Sequence, residues 1–152
     1  MILTSFAFED NGVIPSKYTC DGEDASPPLS LEEVPVGTES FVLIMEDPDV
    51  PSSIRSDGMW DHWLVWNIPP DTREIPEETK PRGIIGKNTG GRQAYGGPCP
   101  PDREHRYFFR VYALNTMLHL DPETTTKHDL ITAMEGHVIE IAELMGKYAR
   151  GV

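Results

Sequence analysis

Ser40 to Met45 reads SFVLIM and runs straight into EDPDVP, Glu46 to Pro51. Its apolar residues are continuous rather than alternating, the pattern of a strand covered on both faces. His62 to Ile68, HWLVWNI, has the same character and stops at Pro69-Pro70. Tyr107 to Leu114, YFFRVYAL, is a third run, rich in aromatics. Ile2 to Phe8 alternates weakly. Turn pairs separate these stretches at Asn11-Gly12, Asp21-Gly22 and Asp57-Gly58. With 14 prolines and 13 glycines in 152 residues, the chain reads as strands joined by shaped loops, a mainly β protein rather than a helical bundle.

Gly86 to Pro101, GKNTGGRQAYGGPCPP, holds no regular element. Long irregular loops inside compact domains are commonly functional, and glycines for close approach with prolines for rigidity favour that reading. Beyond it the period changes. Leu130, Ile131, Met134, Val138, Ile141, Ala142 and Met145 recur at helical spacing. Thr126 with Asp129 resembles a capping box, and Gly146 offers a stop. The expectation is a C-terminal amphipathic helix of about four turns, with Gly136 inside it at some cost in propensity. No repeat and no linker divides residues 1–152, so one domain is expected.

Charge bounds the partners. Thirteen Lys and Arg face 25 Asp and Glu, a net charge of −12, and no basic run exists. Nucleic-acid binding and adsorption to an anionic membrane surface are both disfavoured. An anion site remains open to such a chain if loop N–H groups and a few buried cations build it. The first fifteen residues have no basic region and no long apolar run, so neither a signal peptide nor a membrane span is expected, and the location reads as cytoplasmic. Cys20 and Cys99 form no CxxC pair and carry no metal signature.

Three clusters could carry chemistry. Asp47 and Asp49 stand where the first apolar run meets a loop stiffened by Pro48 and Pro51. Read blandly, this is an acidic turn. Trp60 and His62 open the second run. With strict alternation His62 shares a face with Leu64, while Trp63 shares one with Val65. His105 and Tyr107 open the third run on one face, just after the Gly/Pro loop, and either histidine alone would read as a satisfied, partly buried residue. If the three strand ends meet, they form a bowl of imidazoles, carboxylates, a phenol and loop amides. Neighbouring carboxylates would favour protonated imidazoles, which with loop amides suit phosphate or carboxylate.

The strings DPDVP, DHWLVWNIP and GGPCPPDREHRYFFRVYAL resemble the signature segments of the phosphatidylethanolamine-binding protein (Raf kinase inhibitor protein-like) family. KYTCDGEDASPPLS and AMEGHVIEIAELMGKY are similar to its short bacterial and archaeal branch. The resemblance implies a β-sandwich with a few short helices and an anion pocket at one end. It places Asp47, Pro48, Asp49, Pro51, Trp60, His62, Gly97, Pro100, Pro101, His105 and Tyr107 at that pocket, with both histidines touching the ligand. The implied ligand is a phosphate or phosphorylated headgroup, and some members bind a kinase or a protease. The resemblance also puts Cys20 and Cys99 near the pocket and near each other; a cytoplasmic location predicts mostly free thiols, proximity would allow a disulfide, and whether they are bonded stays open.

The leading expectation is a binding protein that needs no cofactor and no metal. The alternative is a hydrolase or proton-transfer enzyme using Asp47, Asp49, His62, His105 and Tyr107, with a two-histidine, two-carboxylate metal site as its variant. Against it, no GxSxG, P-loop or HExxH is present and no nucleophile is evident. Oligomeric state, a homodimer included, stays open.

Overall fold

A computed structural model describes residues 1–151. In chain order its strands are β1 (Ile2–Thr4), β2 (Gly12–Val13), β3 (Leu29–Glu32), β4 (Ser40–Asp47), β5 (Trp60–Ile68), β6 (Glu74–Ile75), β7 (Ile84–Ile85), β8 (His105–Leu114) and β9 (Val138–Tyr148). A 3-10 turn at Ser16–Tyr18 and one helix, α1 (Lys127–Met134), complete the elements. A small sheet has the order β1-β3-β6, and a large one the order β2-β9-β8-β4-β5-β7.

The three apolar runs become the three central strands of the large sheet. β4 lies between β8 and β5 and is antiparallel to both. Phe41, Leu43 and Met45 face inward, where they join Leu3, Leu29 and Leu31 of the small sheet in the core between the layers. Val42 and Ile44 face outward and are covered by Leu130 and Met134 of α1, with Leu114 and Leu118. That second cover explains why SFVLIM lacks a polar face. Each fully buried side chain of this kind contributes about 1.5–3 kcal/mol.

The expected C-terminal helix is corrected. α1 begins with the anticipated capping box, in which Thr126 and Asp129 bond each other's backbone N–H reciprocally. It ends at Met134, and Gly136 at φ 79° turns the chain back. Residues Val138–Tyr148 then form β9, paired along the whole of β8. Val138, Ile141, Ala142 and Met145 fit a helical period, but β8 needed a neighbour on that side and the β-branched Val138, Ile139 and Ile141 suit a strand. Alternation within β9 buries Ala142, Leu144 and Tyr148, while Ile141 stays 52% exposed. Gly146 lies inside this strand and stops nothing. At the other end of the chain, strand structure covers Ile2–Thr4 rather than extending to Phe8. Among the described residues no helix is long and apolar enough to cross a membrane.

Candidate functional site

The topology brings the three polar clusters together. Because β4 is antiparallel to both neighbours, its C-terminal residue Asp47 lies beside the N-terminal ends of β5 and β8. Asp47 pairs with Trp60, and Glu46 with Phe108. Inward-facing residues at these ends, with the Gly/Pro loop, enclose an open cavity of about 430 Å³.

His62 reaches that cavity through a bulge. Met45 pairs with Trp63 but Glu46 pairs with Asp61, so His62 is an extra residue without a partner on β4. Strict alternation would have put it on the outer face with Leu64. Instead its ring stands edge-on to Tyr107, centroids 5.3 Å apart, while Leu64 joins the outer cluster and Trp63 the inner core. The bulge also turns Asp61 outward, where Lys127 Nζ bridges it (2.9 Å) to Glu46 (2.6 Å).

His62 Nδ1 lies 2.7 Å from the Gly96 carbonyl, so Nδ1 carries hydrogen and donates. Nε2 has no protein partner among the described residues. Burial pulls the imidazole's proton affinity down, although the Gly96 carbonyl and the charges of Asp47, Asp61 and Asp24 oppose it. The net direction is below the ordinary histidine value, opposite to the expectation that carboxylates would dominate. His62 is therefore a neutral ring near pH 7, with a lone pair on Nε2.

His105 is arranged differently. Nδ1 lies 2.6 Å from Asp47 Oδ2 and Nε2 lies 2.7 Å from Asp102 Oδ1. Each ring nitrogen thus faces a carboxylate oxygen at hydrogen-bond distance. Both are then engaged, and His105, 1% exposed, forms cavity wall rather than a free donor. Asp47 Oδ1 additionally accepts the Asp49 N–H (2.8 Å). The Asp102 carboxyl is held below its usual range, first by its bond from His105.

Tyr107 is fully buried, and its hydroxyl makes no hydrogen bond of ordinary distance and angle, although the Asp47 carboxylate lies close enough to act on it. Burial first, and then the charge of Asp47, push the phenol well above its ordinary value, so it keeps its proton. A buried donor without a well-formed hydrogen bond at a cavity wall is a place where a ligand oxygen would be welcome.

The expected residues thus divide. Asp47, Trp60, His62, His105 and Tyr107 line the cavity, as do Gly97, Pro100 and Pro101. Pro48, Asp49 and Pro51 do not. Asp49 instead clamps Arg106: Oδ2 accepts its backbone N–H and Nε, both at 2.9 Å, and Oδ1 accepts Nη2 at 2.8 Å. That clamp fixes the aspartate turn to β8.

Several cavity residues escaped the sequence reading. Asp24 Oδ1 accepts the Gly97 N–H at 2.8 Å, and a β-carbon on Gly97 would come within 2.4 Å of the Tyr18 carbonyl oxygen, so only glycine fits there. Asn88 shapes the loop through Ala94 O and the Arg92 N–H. Arg92 places a guanidinium on the rim, 3.9 Å from Asp24. Polar residues inside an irregular loop give no periodic signal, which is why they were missed. Cys20 and Cys99 also line the cavity, bonded to each other with Cα atoms 5.4 Å apart. Their expected proximity is present, and the bond that the sequence left open is formed. Among the described residues no three of His, Cys, Asp and Glu converge on a metal position.

Comparison with known proteins gives a consistent set of relatives. The family model described as phosphatidylethanolamine-binding protein matches residues 4–149. A UPF0098 protein of Chlamydia trachomatis is 49% identical over 150 residues, covering 99% of each chain. One of Methanothermobacter thermautotrophicus is 48% identical over 157 residues, covering 99% of this chain and all of that one. The crystal structure of a phosphatidylethanolamine-binding protein homologue from Chlamydia trachomatis superposes with TM-score 0.94 at 49% identity, over 98% of this chain and 97% of that one. Escherichia coli YbcL, described as a member of the mammalian PEBP family, superposes with TM-score 0.87 at 30% identity, over 99% and 98%.

Proposed function

The chain belongs to the phosphatidylethanolamine-binding protein family, and on that premise we propose that it binds a small anion, a phosphate or carboxylate group, in the cavity at the ends of β4, β5 and β8. The observation that carries this reading is the Tyr107 hydroxyl, a protonated donor without a well-formed hydrogen bond, on a ring packed edge-on to His62. A charged acceptor on such a donor forms a hydrogen bond worth about 1.5–3 kcal/mol. Arg92 on the rim supplies a cation, and Trp60, Pro100 and Pro101 supply apolar walls for whatever carries the anion.

Binding without turnover fits the lining better than hydrolysis does. No serine, threonine or free cysteine faces the cavity among the described residues. Asp47, the buried carboxylate, has both oxygens engaged. Calorimetric titration with sulfate, then competition by a phosphomonoester, tests the reading. Saturable one-to-one binding is expected, with sulfate displaced by the phosphomonoester and the ester recovered intact. Absence of any sulfate binding, or release of inorganic phosphate from the ester, would overturn it.

A further inference from the structure

The disulfide sits where the cavity wall has the fewest other ties. Pro98, Pro100 and Pro101 have no N–H. Cys20 N–H donates to the Pro98 carbonyl, but no hydrogen bond of residues 99–101 is found among the described residues. The next anchor is the Asp102 carboxylate on His105. Between those points the Cys20–Cys99 bond holds the segment, together with the packing of buried Pro98 and Pro100. Upstream the loop is well tied, by Gly96 N–H to His62 O, Gly97 N–H to Asp24, and the Tyr95 hydroxyl to Tyr18 O. Both cysteine residues are exposed, and both line the cavity.

We propose that Cys20–Cys99 is a thiol–disulfide exchange site, open to a dithiol reductant in the folded protein, and that its redox state sets the affinity of the cavity for its anion. A thiolate of the reductant attacks one of the two sulfurs. A mixed disulfide forms, the Cys20–Cys99 bond breaks, and the departing cysteine takes up a proton. The reductant's second thiol, as thiolate, then displaces the remaining cysteine, which is protonated in turn. Two electrons and two protons reach the protein, and the reductant leaves as its own disulfide. Freed from Cys20, the Cys99–Pro101 wall loosens while β8 stays paired. The effect on affinity rests on the anion reading above; the exchange and the loosening do not.

The test compares oxidised protein, protein held reduced in dithiothreitol, and the double variant Cys20→Ser/Cys99→Ser. Three quantities are read: the rate of reduction by dithiothreitol, hydrogen exchange of the bonded amides of residues 20, 96 and 97 against β8, and sulfate affinity. Expected are reduction without denaturant, faster exchange at those three amides while β8 is unchanged, and sulfate binding several-fold weaker in the reduced and double-variant forms. By reciprocity, saturating sulfate then makes the bond harder to reduce by the same factor. Reduction that proceeds only when denaturant unfolds the chain overturns the proposal. So does exchange that is unchanged at those amides, or that rises in β8 as well. Equal sulfate affinity in both states overturns the control of affinity. If the oxidised protein binds no sulfate, the anion reading falls and that control with it, while reduction rate and amide exchange still decide the exchange site.

Discussion

His62 and Tyr107 are adjacent in the cavity, yet they respond oppositely to substitution. Tyr107→Phe removes a hydroxyl that makes no well-formed hydrogen bond in the protein, so stability should change little. Sulfate affinity should fall roughly ten- to hundredfold. Parallel denaturant and sulfate titrations check this, and unchanged affinity would remove the phenol from the site. His62 is the pH-sensitive member. Its folded value lies below the unfolded value of about 6.5, so the unfolded chain takes up the proton first. Its stability contribution is therefore complete above about pH 6.5 and is lost as pH falls below it. Anion binding runs the other way, because a bound anion favours imidazolium at Nε2. Sulfate affinity should rise from pH 8 to pH 5.5, and His62→Gln should flatten both profiles. A wild-type affinity that is level across that range would leave Tyr107 and Arg92 as the receptor. His105 is different in kind. His105→Ala leaves the Asp47 carboxylate, 3% exposed, without its side-chain hydrogen-bond partner, and stranding a buried charged group costs upwards of about 1–3 kcal/mol. A large drop in melting temperature is expected, and a stable variant would show the pair to be dispensable.

At the scale of elements, the junction of α1 and β9 carries a sign test. Gly136 sits at φ 79° with open space where a β-carbon would stand. Gly136→Ala therefore strains the backbone without a clash and should lower stability by about 1 kcal/mol. Had this residue been inside a long helix, the same change would have raised stability by a similar amount. The denaturation midpoint decides between these directions. The outer face near this junction is held by Glu46, which receives Lys127 and Arg110, while Arg110 also reaches Glu143 at 2.8 Å. Burial pushes the Glu46 carboxyl up, and the contacts from Lys127 and Arg110 more than offset it, leaving it below its ordinary value. Its stabilising effect is thus present at neutral pH and is lost as pH falls through the acid range.

Across the whole molecule the disulfide has the longest reach, joining residues 79 apart. Closing a loop of that length removes unfolded-chain entropy worth about 4.5 kcal/mol at 25 °C. Cys20→Ser/Cys99→Ser should lose up to that amount in a denaturant titration and still fold, since small domains commonly have about 5–15 kcal/mol in hand. An unchanged midpoint would mean the unfolded chain is already compact between those points.

The three central strands were legible in the sequence because continuous burial leaves a composition mark, as SFVLIM, HWLVWNI and YFFRVYAL show. The same apolar runs delivered Asp47, Trp60, His62, His105 and Tyr107 as strand-end residues, and the family signature grouped them. Tertiary structure alone decided three matters. Antiparallel pairing on both sides of β4 made three distant strand ends into one cavity. A one-residue bulge turned His62 inward and Asp61 outward, and a bulge depends on the register of two strands rather than on either sequence. Finally, Val138–Tyr148 fits a helical period yet became a strand, because the open edge of β8 offered ten residues of pairing that an isolated helix could not match. Periodicity within a segment records which faces can be buried; which partner buries them is settled only when the rest of the chain is in place.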